Sequence, residues 1–364
     1  MKKDIVWLDY SRFIGIFLVV FCHSFPTIPG WIEVRPVKAI WDYVYLFHMP
    51  LFFIVSGYLY KQGSPNGLRR LWIRLIVPYF LYQLFYLPIQ FIHFKQELTN
   101  LDFWIKIFVG MLSGDGYDTP ISYCICLPCW FIVCIIQLHL FFLYVPIKKM
   151  VSIAICIFSV LFLIIRKHYS FDFYFCLDST IMALPYFLIG HYLGKRGFVE
   201  MIVGWKKNLL IAIVSGVMVY IILQINGIAQ MNVLSYGNNL FMNYMAGILG
   251  SLMIFMIAKI WADICHEKEW IKTISRNTLF IIFFHWLVLT IWGMILSKAI
   301  VLMGINVNFV FRMCTSILIS AVIFWISKKT IDYGVGRFPL VFGKKTSGAI
   351  SSKAANACRD NVYS

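Results

Sequence analysis

The chain has 364 residues, 61% of them hydrophobic and only 13% charged, where a soluble domain carries about 45–50% apolar and about 25% charged residues. No soluble core absorbs that excess, and the formal net charge of +16 does not point to nucleic acid, because the basic residues are scattered over short connections between apolar runs. Runs near twenty residues recur along the whole length, each long enough to cross roughly 30 Å of hydrocarbon as a helix.

Ten spanning helices are predicted, at 7–25, 39–59, 75–92, 127–147, 150–165, 180–194, 209–225, 239–260, 277–297 and 308–327. Lipid offers backbone groups no partner, so these runs are helices and not open sheet. The fold class is therefore all-α and polytopic, with 1–342 as one membrane domain and 343–364, polar and rich in small residues, as a disordered cytoplasmic tail. With the N-terminus inside, 24 of the 32 Lys and Arg residues fall on inner connections and 8 on outer ones, which predicts both termini in the cytoplasm. The first run follows Lys2 and Lys3, but Phe21 to Pro26 offers no small-x-small cleavage pattern, so it is read as a spanning helix and not as a removed signal.

The first helix carries two ionisable residues where polarity is expensive. Arg12 and His23 lie eleven residues apart, three turns plus about 20°, so they share a face and are separated by roughly 16 Å along the axis. Arg12 has a local reading, snorkelling or pairing with Asp9 three residues earlier; His23 has one as a core histidine bonded to a carbonyl. In the second run His48 precedes Pro50, which frees a carbonyl near residue 46 for a polar neighbour to satisfy, and the small Ser56 and Gly57 permit close helix packing. Arg69, Arg70 and Arg74 then form a basic cluster, read either as a topological collar or as a phosphate site, with Arg70 and Arg74 at i and i+4.

The stretch 101–112 is apolar but too short to cross, and is expected at the interface or as a re-entrant piece. The ten cysteines sit mostly inside apolar runs as small hydrophobes. Cys124, Cys126 and Cys129 are grouped, with a metal site or a disulfide as the alternative reading, but they lack a matching His/Cys pair and are read as small hydrophobes with no metal site. His285 is a further histidine within an apolar helix.

Leu8-Asp9, then Arg12, ten intervening residues and His23, resembles the Arg-x10-His signature of acyltransferase family 3, membrane-bound enzymes that decorate bacterial surface glycans. The run Met49 to Leu59 is similar to the second-helix motif of that family, especially its branch related to fucose O-acetylases. Arg69, Arg70 and Arg74 before Pro78-Tyr79 resemble the start of its third helix, although the Arg-x-x-Arg of some members is here Arg-x-x-x-Arg. Weaker likeness continues at Trp130-Phe131-Ile132 and from Ser275 to His285.

The resemblance implies a multi-pass enzyme of the inner (plasma) membrane that takes cytoplasmic acetyl-CoA as co-substrate, with no bound cofactor, and acylates a hydroxyl of a surface polysaccharide or its lipid-linked precursor. Arg12, Arg69, Arg70 and Arg74 would bind the donor phosphates. His23, with His48 as second candidate, would deprotonate the acceptor or carry the acyl group. Asp9, Ser56, Trp130 and His285 would support them. Two rivals stand beside this reading: a secondary transporter or lipid flippase, whose intramembrane His and Arg relay protons or hold a headgroup, and a structural scaffold.

Overall fold

The computed structural model describes residues 5–64, 66–93, 97–169 and 171–345. The predicted tail beyond residue 345 lies outside them.

The described residues form a bundle of helices. In chain order they are α1 (Val6–Ser24), α2 (Arg35–Tyr45), α3 (His48–Leu59), α4 (Gly67–Leu71), a π-helical stretch (Trp72–Ile76), α5 (Val77–His93), α6 (Leu101–Ser113), α7 (Cys129–Tyr144) and α8 (Lys149–Tyr169). They continue with α9 (Leu177–Arg196), α10 (Phe198–Met201), α11 (Trp205–Asn226), α12 (Leu240–Cys265), α13 (Glu269–Ser275), α14 (Thr278–Met303) and α15 (Phe309–Arg337). A two-residue antiparallel pair, Ala229–Gln230 with Ser235–Tyr236, closes the α11–α12 connection.

Among the described residues, eight helical stretches are long and apolar enough to cross a membrane. The other two predicted segments also fall on helices: α7, only 16 residues long between Pro128 and Pro146, and α9, which lies outside that set of eight. The apolar residues divide by direction. Many of those on α8 and α11, such as Ile157, Phe158, Leu161, Ile213 and Val217, point outward, which water would penalise and lipid does not, while Leu163, Val219 and Ile222 on the same helices are buried against the bundle.

Three local departures from the sequence reading have physical causes. The predicted span 39–59 is broken at Phe47, whose backbone leaves the helical region (φ −137°, ψ −14°), so that Pro50 falls in the first turn of α3, where a missing N–H costs no helix bond. His48 Nδ1 lies 3.1 Å from the Val44 carbonyl, the kind of partner the broken helix requires. The third span begins earlier than predicted and contains the π-helical stretch, whose i to i+5 turns hold one residue more than an α turn. Finally, α15 runs ten residues past the predicted end at 327, about 15 Å of further helix.

Helix α1 is central, packing against α3, α12, α13, α14 and α15. α3 and α9 cross at glycines: a Cβ on Gly57 would collide with the Phe187 carbonyl, and one on Gly190 with the Ile54 carbonyl. The small residue at 57 is thus a packing requirement, and it holds Ser56 beside the interior cavity described next.

Candidate active site

The face of α1 that carries Arg12 and His23 runs along the interior of the bundle. At the Arg12 end, Asp9 is buried and accepts from three donors: Arg12 Nη1 at 3.4 Å, Ser275 Oγ at 2.9 Å and Arg276 Nη2 at 3.3 Å. Removing a carboxylate from water is costly unless several donors replace it, and this set from α1 and the C-terminal end of α13 does so. The predicted Asp9–Arg12 pair therefore exists, but as part of a network that ties α1 to the α13–α14 corner.

This end of the bundle gathers basic residues from stretches far apart in sequence. A cavity of about 1130 Å³ is lined by Arg12, Lys61, Arg70, Arg74, Arg276, Lys344 and Lys345 against the acids Asp9 and Glu200. Tyr58 donates to Glu200 at its wall. Adjoining it is a throat of about 350 Å³ that shares Arg12, Lys61, Arg70 and Arg74 and is otherwise mostly apolar, with Ser56, Tyr60, Ser64, His139 and Thr278 as polar points. The pair of cavities thus grades from cationic to apolar, matching a ligand with a phosphorylated head and a long, sparsely polar arm.

Phe52 and Phe131 line both the throat and a third, smaller chamber of about 60 Å³. Their rings meet edge to face with centroids 5.9 Å apart, so they form the partition between the two spaces. The small chamber holds His23 and His285, with Trp130, Tyr45 and Asn232 among its walls.

The hydrogen bonds of the two histidines fix their tautomers. His285 Nδ1 lies 2.9 Å from the Ile281 carbonyl, which can only accept, so the proton of neutral His285 is on Nδ1 and its Nε2 holds the lone pair. That Nε2 lies 3.0 Å from His23 Nδ1. His23 must then donate from Nδ1, which leaves its own Nε2 unprotonated. A base oriented by a second ring, which is itself held by a backbone carbonyl, is the arrangement that general-base chemistry requires.

A family model described as an acyltransferase domain matches residues 5–326. The chain belongs to acyltransferase family 3. No curated protein and no solved structure matches it. This acyltransferase is accordingly an enzyme with an all-α membrane fold, and the transporter and scaffold alternatives give way to that membership.

Of the site residues predicted for the acyltransferase, the structure brings together Arg12, Arg70 and Arg74 with Ser56 at the wide cavities, and His23, His285 and Trp130 at the small chamber. Arg69 does not join them; it is exposed and outside both cavity linings, because its neighbour Arg70 takes the inward direction on the short α4. His48 is buried, but it lies outside the chamber lining, its ring centroid 6.3 Å from that of His23 and its Nδ1 beside the Val44 carbonyl. Sequence reasoning missed Lys61, Arg276, His139 and the Phe52–Phe131 partition. Lys61 and Arg276 had been counted only as topological charge, and the partition has no signal in a chain this rich in Phe.

Proposed function

We propose that this acyltransferase transfers an acetyl group from acetyl-CoA to a hydroxyl of a surface polysaccharide or its lipid-linked precursor, across the plasma membrane. The basic end faces the cytoplasm, in keeping with the asymmetry of Lys and Arg along the chain. The donor phosphates rest among Arg12, Arg70, Arg74 and their basic neighbours, and the pantetheine arm extends through the throat towards Phe52 and Phe131. The thioester then reaches His23, about 16 Å along α1 from Arg12, while the acceptor hydroxyl enters from the opposite side.

In the chemical step, His23 Nε2 takes the proton of the acceptor hydroxyl as its oxygen attacks the thioester carbonyl. The new C–O bond forms, the C–S bond breaks, and the departing thiolate recovers the proton from His23. His285 acts as a positioning residue: its Nε2 accepts from His23 Nδ1 throughout and stabilises the transient imidazolium. The narrow, aromatic-lined chamber limits water, which would otherwise hydrolyse the thioester.

The observation that carries this reading is the placement, on one face of one helix, of a cationic cavity at one end and an oriented histidine base at the other. The test is direct: purified protein in vesicles receives labelled acetyl-CoA, and surface glycans from strains with and without the gene are compared by mass spectrometry. Label transferred to a glycan, together with a mass loss of one acetyl group per repeat in the deletion strain, supports the proposal. Absence of both refutes it.

A further inference from the structure

The cationic cavity is completed by a segment outside the region matched by the family. Beyond α15 the chain makes a short 3-10 turn, Pro339–Phe342, and folds back against the start of the third span. Three contacts fix it. Tyr82 Oη donates to the Val341 carbonyl at 2.8 Å, the Phe342 ring packs 4.9 Å from that of Phe280, and Phe342 also closes over Gly334. Gly343 then turns in the left-handed region (φ +63°), and a Cβ there would stand 2.7 Å from the Arg74 carbonyl oxygen. Only glycine suits both that dihedral and that approach.

The consequence of this turn is that Lys344 and Lys345 line the same cavity as Arg12, Arg70 and Arg74. The Lys344 amide is held by the Pro339 carbonyl at 2.8 Å, so its backbone is anchored. Among the described residues neither lysine has a carboxylate within ion-pair distance. Burial lowers the Lys344 ammonium from its ordinary range, and the nearby Arg276 charge lowers it further. Like charges gathered by a built turn, with few acids opposite, are stabilised when an anion enters.

We propose that Pro339–Lys345 is a strap of the donor site and that Lys344 and Lys345 bind phosphate groups of the acyl-CoA donor. This rests on the donor reading above. The shared chemistry, a phosphate ester or diester, is also that of an acidic lipid headgroup, so the experiment separates the two.

Binding of CoA and of phosphate-free pantetheine is measured on full-length protein in nanodiscs of zwitterionic lipid and, in parallel, in nanodiscs containing an acidic lipid, for wild type and for the double variant Lys344→Gln/Lys345→Gln. The expected result is a loss of about tenfold or more in CoA affinity, as for charge-assisted hydrogen bonds, with pantetheine binding unchanged. Gly343→Val, which displaces the turn but keeps both lysines, should give the same selective loss. Equal CoA affinity in wild type and double variant overturns the proposal. So does an equal loss for pantetheine, which would make the lysines structural, or an effect confined to nanodiscs containing acidic lipid, which would assign them to headgroups. A wild type that binds no CoA refutes the donor reading itself, and this proposal with it.

Discussion

The His23–His285 pair makes a quantitative demand on the enzyme. Replacing His285 by Ala removes the acceptor 3.0 Å from His23 Nδ1. In the resting enzyme that bond joins two neutral rings and contributes about 0.5–1.5 kcal/mol net. In the proposed step, in which His23 takes the substrate proton, the same bond becomes charge-assisted, about 1.5–3 kcal/mol. Only the difference, about 1–1.5 kcal/mol, lowers the barrier, which corresponds to roughly a 5- to 13-fold fall in kcat. KM for acetyl-CoA should be unchanged, because His285 lines only the small chamber and not the basic cavities. His285→Gln, whose side-chain oxygen accepts a hydrogen bond, should recover most of the loss. The assay is steady-state acetyl transfer by purified protein at matched membrane levels. A kcat within twofold of wild type for His285→Ala, or a loss beyond a thousandfold, refutes the reasoning, the latter because His285 would then be handling the proton itself.

His23→Ala should lower transfer about 100- to 10,000-fold, as for loss of a positioned general base, while His48→Ala, outside the chamber lining and held by the Val44 carbonyl, should cost less than His285→Ala; single-turnover rates of the three variants check this order. Phe131→Ala should open the partition between throat and chamber, raising butyryl relative to acetyl transfer several-fold in a competition assay, and an unchanged ratio would show that Phe131 does not govern passage. Gly190→Val forces a side chain into the Ile54 carbonyl, so folded protein recovered in mild detergent should fall sharply, and normal recovery would contradict the close α3–α9 crossing. A reporter fused after Lys345 should read cytoplasm and one inserted in the Gly227–Asn239 connection should read the opposite side, and reversal at both sites would invert the proposed direction of transfer.

The sequence by itself determined the solvent and the elements. Composition required a membrane, lipid required helices, and all ten predicted segments fall on helices because apolar length near twenty residues is imposed by bilayer thickness. It also determined the pairing of Arg12 and His23, since residues on one helix face are related by helical geometry alone. What it did not contain is anything that depends on which helices touch. His285 was an isolated polar residue until the bundle set it 3.0 Å from His23, across 262 positions of sequence. Arg276 and Lys61 were indistinguishable from topological charge until the fold turned them into one cavity. The choice of Arg70 over Arg69, the break at Phe47 and the partition by Phe52 and Phe131 were decided in the same way. In a chain where nearly every position is apolar, hydrophobic pattern says that a residue is in the membrane but not whether it faces lipid, a neighbour or a cavity. Only packing resolves that, through glycine crossings and buried carbonyls that accept a particular proton.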